Sequence, residues 1–449
     1  MNKIKESAIA GSFYPAEKEN LEKLIEFFKA QSKNYYADRK ARAVIVPHAG
    51  LVFSGRVAYE GIEQLDKNIE NIFIIAPAHK VAFEGLALTS YTHWETPLGK
   101  VKINRSICKD LVKNHNAQIK DDAFEPEHSA EIEVPIIQTL FEKAKIIPVL
   151  VGKEDPEAIE KILEEFYPDK KNGFVISSDL SHFLTDDKAK NLDNLTAQMI
   201  ETGNVNGFRY EQACGAVGVV GLVMYANKNK YSLIRIDMTN SSSTTGDKSR
   251  VVGYGSWFMF EDSKSKYLEK YCSQFMIDMV KIVINSAFER NKNITINYPQ
   301  IFDEYGACFV TLEKEDRLRG CIGSIIAHQP LVNDLVNNAK NAAFKDYRFK
   351  PVSQDEVKDL KVAISILTHP VKIEFKSEKD LLKKISAKKD GIIIKDGNHQ
   401  AVYLPSVWEQ LPEKSEFLNS LKVKAGLSED YFSENFEAYK FAATYIKEK

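Results

Sequence analysis

The chain has 449 residues, which is too long for one ordinary domain and predicts two or three. Its 44% apolar and 28% charged residues are typical of a soluble globular protein, and a net charge of −2 gives no electrostatic footprint for nucleic acid or a membrane surface. No apolar stretch reaches the roughly 20 residues that a spanning helix needs. Five cysteines without a CxxC pair argue against a disulfide framework or a structural zinc site, so we expect a reduced, cytoplasmic protein.

Residues 1–260 alternate between amphipathic helices and short apolar, β-branched runs that are typical of buried strands. Such alternation predicts a mainly parallel sheet covered by helices on both faces. In chain order, the predicted elements are a helix at 16–32, the strand ARAVIVP, the helix GRVAYEGIEQL, the strands NIFIIAPA and IIPVLVG, a helix at 155–166, the strand GFVISS, helices at 186–202 and 215–228, and the strands LIRIDMT and VVGYGSWFMF.

Histidines follow the ends of several of these strands. His48 comes directly after one strand in VIVPHAG, His79 after the next in IFIIAPAHK, and FVISSDLSHF supplies Asp179 and His182. Ligands of open α/β sheets gather at the carboxyl ends of the strands. A single histidine there is as often structural as functional, and Asp179 has the alternative role of capping a turn. Two histidines at neighbouring strands favour a metal centre or an acid–base site.

A further candidate segment, EPEHSAEIEVP, contains Glu127 and His128 among several other glutamates. These residue types are suited to direct participation in catalysis. The alternative, of equal weight, is a solvated acidic loop that leads into a helix. We therefore regard Glu127 and His128 as candidate site residues whose role the sequence leaves open.

These segments, together with AGSFYP, WETPLG, CGAVG and TTGDKSRVVGYG in the same order, resemble the Memo family over about residues 3–260. The family is also called AmmeMemoRadiSam system protein B. The resemblance implies a fold similar to that of the class III extradiol ring-opening dioxygenases, which carry non-haem iron. It also implies that His48 and His79 are metal ligands and that Asp179 and His182 line the same pocket. We therefore predict catalytic roles for His182, Asp179 and His128.

The third metal ligand is where the sequence departs from the resemblance. Animal members place a cysteine before the last strand, whereas Thr244 stands at about that position here. Asp247 offers a carboxylate instead, which would complete the two-His-one-carboxylate set of open Fe(II) sites, although it has the alternative of capping a turn with Gly246. Cys214 leads an apolar helix and is predicted to serve packing. The expected cofactor is Fe(II), with copper as the alternative, and an open coordination position would bind O₂ or polarise a substrate oxygen.

The polar stretch EDSKSK, at 261–266, is the predicted linker to a second domain, which covers residues 267–449. Its pattern predicts an α+β fold with antiparallel strands. The predicted elements are a long helix at 267–291, the hairpin ACFVTLEKEDRLRGCIGSI, the helix LVNDLVNNAKNAAFKD, the strand LKVAISILTHPVKIE, and the strand pair GIIIKDGNHQAVYLP, which turns at Asp396-Gly397.

Within the hairpin, LRGCIGSI places the cation Arg319 beside Cys321, which would be a nucleophile if its thiol were activated. The alternative is a small residue packed in a hairpin whose glycines allow bends. With AFKDYRFKPVS, ISILTHPVKI and YLPSVWEQ, this motif resembles the AMMECR family, AmmeMemoRadiSam system protein A, whose activity is not settled. The resemblance brings Asp346, Arg348 and His369 near a cleft without assigning their roles.

Two functions remain open at this point. The chain resembles a fusion of two components of one system, which implies a metal-dependent oxidoreductase or dioxygenase-like protein acting with a radical SAM partner. The CxxxCxxC signature of that partner is absent from this sequence. The alternative is a non-catalytic module that binds a small molecule, a peptide or a nucleotide. The histidines favour the first function, and the missing cysteine at Thr244 favours the second.

Overall fold

The computed structural model describes residues 3–32, 40–289, 297–368 and 370–448, so that the predicted cleft residue His369 lies outside the described residues. The chain forms two compact units, one of Met1–Lys264 with Pro299–Ile301 and one of Ser265–Tyr298 with Phe302–Lys449. The division falls within the predicted linker, but the linker prediction is too long, because a helix already begins at Lys264. No helix in the described ranges is long and apolar enough to cross a membrane.

The first unit contains a large central sheet, a small second sheet and flanking helices. Its strands are β1 (Ile4–Lys5), β2 (Ala43–Val46), β3 (Asn71–Pro77), β4 (Leu86–Leu88), β5 (His93–Thr96), β6 (Gly99–Lys102), β7 (Ala117–Ile119), β8 (Lys145–Val151), β9 (Asn172–Ser177), β10 (His182–Leu184), β11 (Ser232–Asn240) and β12 (Val251–Phe260). Its helices are α1 (Lys18–Gln31), α2 (Leu51–Ile62), α3 (Arg105–Asn114), α4 (Asp121–Phe124), α5 (Val134–Leu140), α6 (Pro156–Phe166), α7 (Asp186–Thr202), α8 (Ala216–Asn229) and α9 (Ser242–Thr245).

The centre of the large sheet consists of four parallel strands in the order β2-β9-β3-β8, which confirms the predicted α/β class. These strands are apolar and almost wholly buried, as expected for a sheet that helices cover on both faces. Antiparallel strands flank them, with β12 beside β2 and β4 beside β8. The parallel register aligns the ends of β2, β3 and β9, so the residues that follow these three strands emerge at one edge. The small sheet β1-β5-β6 was not predicted.

The second unit is α+β with antiparallel strands, as predicted. Its sheets have the orders β14-β13-β15-β20 and β16-β19-β17-β18, and the predicted strand at 360–374 is divided into two, β15 and β16. The strands are β13 (Ala307–Lys314), β14 (Arg317–Gly323), β15 (Lys361–Leu367), β16 (Val371–Lys372), β17 (Gly391–Asp396), β18 (His399–Tyr403), β19 (Glu437–Phe441) and β20 (Ala443–Lys447). The helices are α10 (Lys264–Ser286), α11 (Leu331–Phe344), α12 (Glu378–Lys384) and α13 (Lys414–Lys424).

Candidate metal centre

His48 lies just beyond the end of β2, with only 1% of its surface exposed. Its backbone N–H donates to Asp179 Oδ1 at 2.8 Å, and its Nδ1 lies 2.8 Å from Ser177 Oγ. The Ser177 hydroxyl donates its only hydrogen to the Ser129 carbonyl oxygen at 2.8 Å. The Ser177 oxygen therefore accepts from His48 Nδ1–H, which leaves the lone pair on His48 Nε2 free to bind a metal ion.

His79 lies beyond the end of β3 and is oriented by the carboxylate of Glu127. That carboxylate accepts from the backbone N–H groups of His79, Lys80, His128 and Ser129, at 2.6 to 3.2 Å, and from His79 Nδ1 at 3.1 Å. Burial would raise the pKa of Glu127, but the contacts from His128 and His79 hold the pKa well below its usual range. Glu127 is therefore an anion that keeps the proton on His79 Nδ1 and leaves Nε2 as the ligand atom, a carboxylate–histidine arrangement common at metal sites.

Cys214 completes a group of three ligand atoms. Its Sγ lies 3.2 Å from His48 Nε2, and one atom each of His48, His79 and Cys214 all lie within 4.8 Å of one another. Gly215 makes this approach possible, because a Cβ there would lie 2.5 Å from the Ser177 carbonyl oxygen. The start of α8 can therefore lie against the end of β9. The prediction that Cys214 serves packing alone is wrong: the residue is buried, but its sulfur faces the histidines.

Asp247, the predicted third ligand, is not part of this group. Its carboxylate is exposed and accepts a hydrogen bond from the Ser249 backbone N–H at 2.8 Å. Among the described residues, two groups of potential ligand atoms are present, His48–His79–Cys214 and His79–Glu127–His128, and neither includes Asp247. Thr244, in α9, is exposed as well. The structure therefore gives Asp247 the turn-capping contact that was its alternative, and the potential ligand atom beside His48 and His79 belongs to Cys214.

The three predicted catalytic residues all lie at this edge of the sheet. The ring centroid of His128 is 5.5 Å from that of His48 and 4.9 Å from that of His79. Burial and the neighbouring His79 lower the pKa of His182, which keeps its imidazole neutral. Asp179 is buried and holds the His48 backbone, and burial raises the pKa of its carboxyl to about 7. The structure brings these residues together, while their catalytic roles stay predictions.

Three glutamates of the 125–133 segment are buried and Glu125 is exposed, so the segment is not a solvated acidic loop. Glu127 and Glu131 are 2% exposed and Glu133 is fully buried. Glu131 accepts from Lys5 Nζ at 2.6 Å, whereas Glu133 Oε1 lies 3.2 Å from Ser177 Oγ. Burial raises the pKa of Glu133 well above its ordinary value. The sequence analysis did not identify Glu133 as a hydrogen-bond partner of Ser177. Its apolar neighbours and its place just before a helix could have indicated that it is buried.

In the second unit, the candidate residues of LRGCIGSI pair with other side chains. The Arg319 guanidinium binds both oxygens of Glu356, with Nη2–Oε2 3.1 Å and Nε–Oε1 3.3 Å. The Cys321 backbone N–H donates to Asp346 Oδ2 at 2.9 Å, and Arg348 binds the same carboxylate through Nη2 at 2.7 Å. Such pairing is typical of a structural network. The candidate roles of Arg319 as a cation that binds an anion and of Cys321 as a nucleophile stay untested predictions.

Comparison with known proteins agrees with this division of the chain. The family model described as Memo-like protein matches residues 5–258, and the model described as AMMECR1 matches residues 277–446. The chain belongs to the Memo family. It is a fusion in which an AMMECR1 domain follows the Memo domain, as the motifs predicted.

Curated relatives match the Memo domain along nearly their whole length. A MEMO1 family protein of Aquifex aeolicus is 31% identical over 270 residues, which cover 56% of this chain and 97% of the relative. A MEMO1 family protein of Sulfolobus acidocaldarius is 32% identical over 276 residues, with the same coverage of both chains. Among solved structures, an uncharacterized protein from Pyrococcus horikoshii is 32% identical and covers 38% of this chain and 89% of its own, with a TM-score of 0.36.

Proposed function

We propose that the Memo domain binds one transition-metal ion through His48, His79 and Cys214 and acts as a metal-dependent oxidoreductase. The observation that carries this proposal is the 3.2 Å contact between His48 Nε2 and Cys214 Sγ, within a group of ligand atoms less than 4.8 Å apart. Atoms that share one tetrahedral ion, at bond lengths of about 2.0–2.3 Å, lie roughly 3.3–4 Å from one another. The three residues therefore need only small movements to bind the same ion.

The surrounding hydrogen bonds support ligation by both histidines. Ser177 accepts a hydrogen bond from His48 Nδ1–H and Glu127 accepts one from His79 Nδ1–H, so each ring offers Nε2. Metal-binding histidines usually donate their second ring N–H in this way, which fixes the ring and raises its basicity. A histidine that served packing alone would not need its free nitrogen directed toward a thiol and a second imidazole.

The donor set limits the choice of metal. Two imidazoles and a thiolate are softer than the predicted set with a carboxylate, and this shifts the preference from Fe(II) toward copper. We propose copper or Fe(II), which would supply one-electron chemistry and a position for a substrate oxygen or O₂ when bound. The chain's own residues would orient the substrate and move protons: the neutral imidazole of His182 and that of His128 lie at the same edge of the sheet.

The proposal extends to the cellular role of the fusion. The Memo and AMMECR1 domains support a place in the AmmeMemoRadiSam system, with a radical SAM protein as the partner. Joining two domains in one chain raises their effective concentration for each other and favours a shared process. The proposed location is the reducing cytoplasm, as the five cysteines without a CxxC pair predict. Cys214 also removes the reason for favouring the non-catalytic alternative, which depended on a missing cysteine.

Metal analysis of the full chain tests the centre. We expect about one equivalent of copper or iron after anaerobic purification or reconstitution, and metal affinity at least tenfold lower in His48→Ala, His79→Ala and Cys214→Ala. Asp247→Ala is the matched control and should bind as the wild type does. In protein loaded with Co(II), a thiolate-to-metal charge-transfer band should be present and should disappear in Cys214→Ser. Equal metal content in all variants would refute the proposal.

A further inference from the structure

A cavity of about 220 Å³ lies beside Cys214. Its walls are the carboxyl end of β3 with the loop that follows it, the end of β8, and the start of α8. Cys214 belongs both to this wall and to the group of ligand atoms with His48 and His79. A molecule in the cavity would therefore contact the proposed metal centre directly.

The lining of the cavity is almost entirely uncharged. Val81, Phe83, Val151 and Val217 supply apolar side chains. The one charged lining residue, Lys153, has a side chain that is 84% exposed, and its Nζ lies 3.3 Å from Glu84 Oε1. Without a metal ion, the lining side chains thus offer no buried counter-charge to a ligand, and burying an unpaired charge is strongly unfavourable. A ligand that occupies the cavity of the metal-free protein should be neutral.

The volume limits the size of the ligand. An engineered apolar cavity of about 150 Å³ in another protein holds benzene, whereas pockets for drug-sized ligands span roughly 300–1,000 Å³. A cavity of about 220 Å³ therefore fits one six-membered ring with a short substituent, or an aliphatic molecule of similar size. Nucleotides and peptides, which were possible ligands on sequence grounds, are too large to be enclosed.

We propose that this cavity binds a small, uncharged and mainly apolar molecule that directs one polar atom toward Cys214 and the two histidines. The polar atom belongs on that side because, apart from the exposed Tyr210 and Lys153, the other lining side chains are apolar, and because the Ser177 hydroxyl is already bonded to Ser129, His48 and Glu133. Naming this molecule as the substrate rests on the proposed function, but its binding can be measured in the absence of metal.

Three fluorinated probes of nearly equal size test the inference: neutral 4-fluorobenzyl alcohol, anionic 4-fluorobenzoate and cationic 4-fluorobenzylamine. In fluorine NMR titrations of the metal-free full chain, we expect saturable binding of the alcohol and at least about tenfold weaker binding of both ions. Val217→Trp fills the cavity from α8 and should abolish binding. Val220→Trp, on the same helix and outside the lining, is the matched control.

A second filling variant, Ala82→Trp, changes an exposed lining residue and avoids dependence on the folding of Val217→Trp. Absence of saturable alcohol binding, or equal binding of all three probes, would overturn the inference even if the metal content were normal. If the alcohol binds and both filling variants abolish its binding, the proposed ligand site in the cavity is supported even if no metal binds. The experiment therefore distinguishes failure of this inference from failure of the proposed function. In metal-loaded protein, the probe signal should relax faster with Co(II) than with Zn(II), since Cys214 forms part of the wall.

Discussion

The two units contain similar sequence signals with different structural outcomes. PHAG in the first and LRGCIG in the second both combine a reactive or charged side chain with glycine. His48 lies with groups from distant parts of the chain, and its Nε2 faces Cys214 Sγ, 166 residues away. Arg319 and Cys321 are instead held by Glu356 and Asp346. The difference is what each side chain faces: His48 Nε2 faces another potential ligand atom in the first unit, whereas Arg319 is paired with a carboxylate in the second.

The glycines of the two motifs differ in the same sense. Gly50 has φ −51° at the start of α2, and an added Cβ would meet its nearest neighbour, the Phe13 carbonyl oxygen, at an ordinary 3.5 Å. At Gly320, an added Cβ would lie 2.1 Å from the carbonyl oxygen of Ala342 in α11. A glycine is therefore required at position 320 for β14 to pack against α11. The glycine in PHAG has no such steric reason.

The largest expected effect concerns Glu127. In Glu127→Gln, an amide NH₂ replaces an oxygen that accepts from backbone N–H groups, so buried donors face one another. We expect the free energy of unfolding to fall by about 2–4 kcal/mol. We also expect the metal affinity to fall by about 10–100-fold, because the proton on His79 Nδ1 is no longer fixed. Urea unfolding followed by hydrogen exchange of peptides from the first unit measures the stability, and metal titration measures the affinity.

Glu84→Gln is the control for this variant, because the Glu84 side chain is 78% exposed. It should change neither the stability nor the affinity. Wild-type stability in Glu127→Gln would mean that the carboxylate does not organise the loop after β3. The contrast between potential ligand atoms that lie together in the first unit and paired side chains in the second would then lose its main support.

Part of this centre could be predicted from local sequence. His48 and His79 follow buried parallel strands, and the ends of such strands meet at one edge, so their convergence follows from the pattern alone. Cys214 could not be placed in this way, because its position depends on how the start of α8 packs against β9 through Gly215. Asp247 was preferred because a carboxylate fits an Fe(II) site, but its own turn satisfies it. Burial of Glu127, Glu131 and Glu133 is likewise a tertiary property.

An intermediate effect is expected for Gly320→Ala. Because the added methyl group would overlap a backbone carbonyl oxygen that cannot move alone, we expect a loss of about 2–3 kcal/mol in the unfolding free energy of the second unit. Gly50→Ala should change the stability of the first unit by less than about 0.5 kcal/mol. Hydrogen exchange of hairpin peptides from β13 and β14 measures the former. Equal tolerance at both positions would contradict the contrast between the two glycines.

The smallest expected effect is the pH dependence of the Arg319–Glu356 pair. Hydrogen bonding by Arg319 lowers the pKa of Glu356 from 4.5 to about 2 in the folded chain. Because the folded-state pKa is the lower one, the pair stabilises the fold above about pH 4.5, and this contribution is lost as the pH falls toward 2. Glu356 is partly exposed, so we expect at most about 1 kcal/mol.

Stability curves between pH 7 and pH 2 for wild type, Glu356→Gln, Arg319→Gln and the double variant measure this term. Glu356→Gln should lose the whole pH-dependent increment, and Arg319→Gln should lose the largest part of it, because Lys314 and the Ser353 backbone N–H still contact Glu356. The double variant should lose no more than Glu356→Gln. If Arg319 served a ligand and Glu356 were incidental, Glu356→Gln would keep the wild-type pH profile. That outcome would identify Arg319 as a binding residue and make LRGCIG comparable to PHAG.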